Sequence, residues 1–352
     1  MSKVILVSQT LRGGGAERVV SILSQEFVKR GYKVKIALFS KEVEYEYGGE
    51  IIDIDIGASK SYIKKILALF NRVKKLKKVF EIEKPDYVFS FMEGCNFACI
   101  LTGYDIVVSV RNNPEAKFKW YQKFLIRILY KFKNVKRVVA VSQNIENVLR
   151  DKYTIKNTKV IYNPVVFQDN RVVEKLDRFK PFILGIGRLH RKKNFEMLIN
   201  AFSKLNFDKN LKLIILGDGN LRDKLNLLIK SRNMQGRIFL LGNVKNVSDY
   251  YKQCEIFVLS SIFEGFPNVL IEALSNGCAC IATDCPTGPN EIIVNGTNGF
   301  LVKNNDEDEM AKAITKLYLN PSLKDRCKNN AIRSIGHLSV ENIVNEWIAA
   351  YL

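Results

Sequence analysis

The feature that most restricts what this chain can fold into is an alternation. Short runs rich in Val, Ile and Leu are separated by stretches of helical periodicity almost from end to end. VILVS (4–8) leads into a helical stretch from Ala16 to Arg30 that stops at Gly31. Then come KVKIALF (33–39), a basic helix (60–82), DYVFSF (86–91), DIVVSV (105–110), a second basic helix (116–133) and RVVAVS (137–142). Continuous apolar runs between helices mean parallel strands buried on both faces, which is a doubly wound α/β domain. The pattern weakens over 161–181, where Pro164, Pro181 and scattered charges read as a linker. It restarts with FILGIG (182–187), LKLIILG (211–217), RIFLLG (237–242), IFVLS (256–260), CACIAT (278–283) and GFLV (299–302). Two such halves predict two Rossmann-like domains facing across a cleft, over 1–165 and 166–335. A last helix, within 336–352, is expected to pack back toward the first domain. The length of 352 residues suits two domains of roughly 150 residues each.

Charge then narrows the partners. Lys and Arg number 55 against 36 Asp and Glu, a net charge of +19. Residues 1–165 hold 30 basic and 16 acidic side chains, whereas 166–352 hold 25 and 20, so the excess sits mainly in the first half. A surplus of this size suggests a polyanion: nucleic acid, an anionic membrane face or a phosphate-bearing substrate. The composition, 47% hydrophobic and 26% charged, excludes a disordered or collagen-like chain. No apolar run approaches the roughly 18 to 20 residues of a membrane helix. Met1–Ser8 is too short for the apolar part of a signal peptide and reads as a strand, so the chain is expected in the cytoplasm. The seven Cys, an odd number partly in apolar stretches, suit a reducing compartment. Cys278, Cys280 and Cys285 lack a fourth ligand and lie in a strand-like run, so they read as buried thiols rather than a metal cluster.

Ligands of open α/β sheets sit beyond the carboxyl ends of strands, where helices begin. Three such turns carry chemistry. QTLRGGGAE (9–17) sets Gly13, Gly14 and Gly15 before a helix, where backbone N–H groups can approach an anion. A merely flexible turn has the same composition. It matches neither G-x-G-x-x-G nor G-x-x-x-x-G-K-[ST], which argues against a nicotinamide enzyme or a P-loop ATPase. In GIGRLHRKKN (185–194), Arg188 follows a strand and Lys193 precedes a helix. The two cations can converge on a diphosphate, one as a planar fork and one as a mobile point charge, or simply face water. In EGFPNVLIE (264–272), Pro267 suits a first helical turn and Asn268 a helix terminus. N–H groups at 266–269 would favour an anion or a sugar hydroxyl. Glu264 precedes this helix and Glu272 lies inside it, so one carboxylate can address the sugar end of a ligand and the other its nucleoside end. A single Glu in a helix is ordinarily a solvated charge, but a pair bracketing GFPNVLI is harder to read that way.

GGGAER (13–18), GIGRLHRKKNFEMLINAF (185–202), Leu213–Gly219, FLLGNV (239–244) and SSIFEGFPNVLIEALSNGCACIATDCPTGPNEII (260–293) together resemble the retaining, nucleotide-sugar-dependent glycosyltransferases of family four. The motifs occur in chain order over both halves, and the Glu-x7-Glu segment is the most specific. The resemblance implies the GT-B fold, with catalytic parts for Glu264, Arg188 and Lys193. Arg188 and Lys193 would bind the donor diphosphate and stabilise the leaving nucleotide. Glu264 would hydrogen-bond the donor sugar, with backbone groups of Phe266, Asn268 and Val269 nearby, and Glu272 would accept from the ribose hydroxyls. Gly14 and Gly15 would let the first domain close on the donor phosphates. Transfer would retain configuration by front-face attack, without the covalent carboxylate of retaining hydrolases. The chain departs from the family where many members carry a His after the IVVSV-type strand. Here the sequence is Arg111-Asn112-Asn113-Pro114, and Arg111 or Asn112 is expected to line the acceptor side. The TDCPTGPNEII segment (283–293) resembles members that build bacterial surface glycans with hexose or N-acetylhexosamine, which implies a UDP-sugar donor and no separate cofactor.

Asp53-Ile-Asp55 has the spelling of a metal-holding pair. It lies in EIIDIDIGA, whose alternation fits a half-buried strand, so no metal is expected. The two basic helices, 60–80 and 117–137, combine lysines with apolar stripes: Ile63, Ile66, Leu67, Phe70, Val73, Leu76 and Phe80 in the first, Trp120, Tyr121, Phe124, Leu125, Ile128 and Phe132 in the second. The stripes are expected to face the core. The cations suit an anionic membrane surface, each Lys adding on the order of 1 kcal/mol. The expected acceptor is accordingly a polyprenyl-diphosphate-linked glycan at the inner face of the cell membrane. A soluble acceptor and a nucleotide-sugar epimerase are the competing enzyme readings. A nucleic-acid-binding protein would explain the charge, but no helix-turn-helix, zinc finger or ribonucleoprotein motif supports it.

Overall fold

A computed structural model of the protein describes residues 1–54, 62–167 and 172–352. The chain forms two compact units, Met1–Pro164 with Val340–Leu352, and Val165–Ser339. Each holds one parallel sheet with helices on its faces.

The strands of the first unit are β1 (Lys3–Ser8), β2 (Lys33–Leu38), β3 (Glu50–Asp53), β4 (Tyr87–Phe91), β5 (Ile106–Val110), β6 (Val135–Ala140) and β7 (Thr158–Val160). Their order is β3-β2-β1-β4-β5-β6-β7, and every pairing is parallel. The sheet grows in one direction from β1 and in the other from β4, so the strand order reverses between them. β5 is buried at all five positions, as expected of a central parallel strand of mostly apolar residues, with Ser109 buried among them. The Gln143–Asp151 helix begins where Ser142 Oγ accepts the Ile145 N–H at 3.3 Å, a hydroxyl cap. The C-terminal Val340–Ala349 helix belongs to this unit and buries Ile343, Val344 and Trp347. The Trp347 ring lies 5.4 Å from Phe89 and 5.1 Å from Phe91, and Arg30 Nη1 donates to Asn345 Oδ1 at 2.6 Å.

The basic helices depart from the expected orientation. The first runs Tyr62–Glu83, and it buries Leu76 and Phe80 while leaving Leu67 and Phe70 exposed. The second is broken, into Pro114–Lys117 and Trp120–Leu129, because Phe118 and Lys119 take extended backbone angles. The break resets the helical phase. Ile126, Leu129 and Tyr130 turn inward, and Trp120, Phe124, Ile128 and Phe132 are left exposed, Trp120 at 77%. The stripe expected to face the core is therefore largely a surface feature. Asp55, Lys60 and residues 168–171 of the linker lie outside the described residues, as do the side chains of Ile63, Lys64, Lys65, Ile66 and Lys117.

The second unit contains β8 (Phe182–Ile186), β9 (Lys212–Leu216), β10 (Ile238–Gly242), β11 (Ile256–Leu259), β12 (Cys280–Asp284) and β13 (Gly299–Lys303). Their order is β10-β9-β8-β11-β12-β13, again all parallel, with the reversal between β8 and β11. One face is covered by the Phe195–Ser203 and Glu307–Tyr318 helices, whose Leu198, Phe202, Met310 and Ile314 join the core. Asp306 caps the latter helix by accepting the Glu309 N–H, and Glu307, Asp308 and Glu309 complement its positive end. All seven cysteines are buried free thiols. Among the described residues no helix is long and apolar enough to cross a membrane.

Candidate functional site

The reversal between β8 and β11 is the place where a doubly wound sheet opens a crevice at its carboxyl edge. Two loops of the second unit meet there, 187–194 after β8 and 260–267 after β11. Ser260 Oγ donates to the Lys193 carbonyl at 2.8 Å, and the Ile262 N–H donates to the Lys192 carbonyl at 2.8 Å. Within the first loop, Arg191–Lys193 forms a single 3-10 turn whose start is capped by His190 Nδ1, 3.3 Å from the Lys192 N–H. The second loop rests on the turn after β12. There Thr287 Oγ1 donates to the Glu264 carbonyl and the Glu264 N–H donates to the Pro286 carbonyl at 3.3 Å. Gly288 has φ +95°, and a Cβ on it would lie 2.7 Å from Pro267 Cδ and 3.0 Å from the Gly265 oxygen, so this seat admits only glycine.

Glu264 is 6% exposed at the centre of this arrangement. Its Oε1 receives Lys193 Nζ at 2.8 Å and Ser261 Oγ at 2.8 Å, and its Oε2 receives Lys192 Nζ at 3.0 Å. Burial pushes the carboxyl pKa up, but the charges of Lys193 and Lys192 and the hydrogen bonds of Lys193 and Ser261 outweigh it and hold the group at about 2. Glu264 is thus an anion at any physiological pH. Lys193 lies across the Cα of Gly187, where an added Cβ would meet its Cε at 2.9 Å.

The other expected residues fall around this pair. Arg188 is exposed and makes no side-chain hydrogen bond or ion pair among the described residues. Phe266 is buried, and Asn268 opens the Asn268–Ser275 helix with Pro267 as its cap residue. The Asn268 and Val269 N–H groups lie in the first turn, which has no intrahelical partner for them. Glu272, on that helix, is half-buried and receives Tyr251 Oη at 3.4 Å, while the same hydroxyl lies 3.1 Å from the Val269 carbonyl. Lys192, Ser261 and Tyr251 are the members that the sequence did not single out. By composition Lys192 is one more cation in a basic turn, and Ser261 is one polar residue after a strand.

In the first unit, Gly14 is the cap residue of the Gly15–Lys29 helix. The helix's own Glu17 folds over it, so that a Cβ there would come within 1.9 Å of Glu17 Oε2. Arg111, at the carboxyl end of β5, is 7% exposed. Its Nη2 donates to Asn163 Oδ1, its Nη1 lies 3.3 Å from Ser109 Oγ, and its guanidinium stands 5.9 Å from the Phe91 ring centroid. Burial lowers its pKa to about 10, with Glu17 acting in the opposite sense. Asn112 Nδ2 lies 3.6 Å from Met92 Sδ, and Asn113 caps the next helical turn by accepting the Glu115 N–H. Asp53 ends β3 and is exposed.

Residues 166–334 match the family model described as glycosyl transferases group 1, and residues 13–168 match that described as Glycosyltransferase Family 4. An N-acetylgalactosamine-N,N'-diacetylbacillosaminyl-diphospho-undecaprenol 4-alpha-N-acetylgalactosaminyltransferase of Campylobacter jejuni is 30% identical over 94% of this chain and 94% of its own. An amylovoran biosynthesis glycosyltransferase of Erwinia amylovora is 25% identical over 98% and 97%. Among solved structures, the Anabaena protein HepE in complex with UDP superposes with a TM-score of 0.79 at 19% identity, covering 99% of this chain and 98% of that one.

Proposed function

Because this chain belongs to glycosyltransferase family four, we propose that it moves a hexose or N-acetylhexosamine from a UDP-sugar to a polyprenyl-diphosphate-linked glycan during bacterial surface-glycan assembly. The observation that carries the reading is the Lys193–Glu264–Lys192 group at the carboxyl edge of β8 and β11. A sugar diphosphate needs a fixed cation for its phosphates and a fixed acceptor for its hydroxyls, and Lys193 and Glu264 supply them within one hydrogen-bonded cluster. The acceptor class rests on the diphospho-undecaprenol in the name of the Campylobacter relative, and the nucleotide on the UDP held by the Anabaena protein.

In this reading the second unit takes the nucleotide sugar and the first takes the acceptor. Arg188 and Lys193 bind the diphosphate and stabilise its charge as the bond to the anomeric carbon breaks. Glu264 accepts from the sugar hydroxyls, flanked by backbone groups of Phe266, Asn268 and Val269, and Glu272 accepts from the ribose. The acceptor hydroxyl oxygen bonds the anomeric carbon on the face the diphosphate leaves, and its proton departs with the diphosphate. Configuration is thereby retained without a protein nucleophile and without a metal ion. Gly14 and Gly15 let the first unit close on the donor phosphates, and Arg111 and Asn112 line the acceptor side. The first unit rests on anionic lipid at the inner membrane face through Tyr62–Glu83 and Trp120–Leu129, where exposed Trp120, Phe124 and Phe70 add apolar contact to the lysines.

A panel of nucleotide sugars offered with polyprenyl-diphosphate-linked glycans in excess chelator tests this, with products read by mass and then by linkage and anomeric configuration. Transfer from a UDP-sugar with an α-anomeric product is expected. An inverted product, an absolute metal requirement or turnover of donor without acceptor would each refute the corresponding part.

A further inference from the structure

Glu264 carries one more cation than its charge requires. Lys193 and Lys192 approach different oxygens, Oε1 at 2.8 Å and Oε2 at 3.0 Å, and among the described residues only Oε1 has a further donor, Ser261 Oγ at 2.8 Å. Lys192 is held in place on its own account. Its N–H is received by His190 Nδ1, its carbonyl accepts from the Ile262 N–H, and its ammonium stands 5.0 Å from the Phe263 ring centroid. Lys193 is anchored as well, its carbonyl accepting from Ser260 Oγ at 2.8 Å and its stem lying along the bare Cα of Gly187.

These two lysines cannot serve one purpose if the donor is bound as proposed above, on which reading this inference rests. The ammonium of Lys193 cannot face both a diphosphate and Glu264 Oε1 at full strength. Once it turns to the phosphates, a carboxylate only 6% exposed keeps just a serine hydroxyl on that oxygen. A buried carboxylate without a cation takes up a proton. The protonated acid presents an O–H where a sugar hydroxyl needs an acceptor. We propose that Lys192 is a positioning residue that keeps Glu264 anionic and in place while Lys193 is engaged with the donor diphosphate. Lys192 acts through Glu264 and does not touch the substrate.

The ionisation of Glu264 can be read without turnover, from the side-chain carboxyl ¹³C signal in Glu-labelled protein, assigned by its absence in Glu264→Gln. Wild type is expected to stay ionised through the acid range with or without saturating UDP. Lys192→Met without nucleotide keeps the ionised signal at neutral pH, because Lys193 remains. Saturating UDP then raises its titration midpoint by at least about one pH unit, and Lys192→Arg restores the wild-type curve. In turnover at saturating donor, Lys192→Met gains an acid limb in kcat that wild type and Lys192→Arg lack. An unmoved midpoint in UDP-bound Lys192→Met overturns the proposal. So does a loss of UDP affinity in Lys192→Met equal to that in Lys193→Met, which would make Lys192 a phosphate ligand. Failure of the donor-site reading looks different: wild type then binds no UDP, or Lys193→Met binds it as well as wild type does.

Discussion

Replacing Glu264 by Gln keeps the shape of the side chain and removes the charge on which two lysines converge. The size of the loss follows from the carboxyl's acidity. A group held at about 2 against an ordinary 4.5 stabilises the folded second unit by about 3 kcal/mol at neutral pH, at about 1.4 kcal/mol per tenfold change in acidity. The cost of breaking a buried ion pair by removing one partner is of the same order, roughly 3–5 kcal/mol. Because the folded value is depressed, this stabilisation is complete above the unfolded carboxyl pKa and fades as pH falls from about 4.5 toward about 2. Glu264→Gln should therefore lower the stability of the second unit by about 3 kcal/mol at pH 7, with the gap to wild type closing in acid. The assay is hydrogen exchange under graded urea, followed on peptides spanning β8 and β11 at several pH values. Tryptophan fluorescence serves as the control, since Trp120 and Trp347 both belong to the first unit. A gap independent of pH would show that Glu264 acts by packing and would refute the electrostatic account. No gap at pH 7 would refute it as well, because the depressed carboxyl pKa already includes the cost of burial.

Lys193→Met should lower kcat/KM with a UDP-sugar by roughly 100-fold or more, as loss of a preorganised charge donor does; steady-state kinetics showing only a few-fold loss would contradict its assignment. Gly288→Ala forces a side chain against Pro267 and Gly265 at a positive φ. It should cost about 1–3 kcal/mol of stability and disturb the loop that presents Phe266, which thermal melts and kinetics can read together. Substituting exposed Trp120 and Phe124 by Ser should leave stability within about 0.5 kcal/mol while weakening co-sedimentation with anionic vesicles; unchanged sedimentation would remove these side chains from any membrane contact.

The strands were legible because a strand buried on both faces has to be a nearly continuous apolar run, and Val4–Val7 and Leu213–Leu216 are written that way. Thr158–Val160 was not, since a half-buried three-residue strand at the edge of its sheet needs no such run. The second basic helix read as continuous because neither Gly nor Pro marks its break. Only the extended backbone at Phe118 and Lys119 reveals it, and with it which of its apolar side chains turn outward. In the candidate site, Lys193 and Glu264 stood out by motif, and the structure joins them across 71 positions of sequence. Lys192 could not be separated from Lys193 by composition or spacing. What distinguishes the two is which carboxylate oxygen each one reaches, and that depends on a loop arriving from another strand.

The same distinction applies to the net charge of +19. In the second unit, Lys192 and Lys193 share one buried carboxylate, and Arg188 remains exposed nearby. That is a local arrangement suited to a small diphosphate, and it accounts for little of the total. In the first unit, Lys74, Lys75, Lys77 and Lys78 on one helix, and Arg127, Lys131 and Lys133 on and just beyond the other, are exposed, and so are Leu67, Phe70, Trp120, Phe124 and Ile128 on those helices. Nucleic-acid phosphates would be served by the cations alone. Exposed aliphatic side chains such as Leu67 and Ile128 gain from contact with acyl chains and have no comparable use against a phosphate backbone. Cations and apolar side chains on the same helices therefore favour an anionic lipid surface, where the polyprenyl-linked acceptor proposed above would also be found. A first unit that bound oligonucleotides at physiological salt as tightly as anionic vesicles would break that argument.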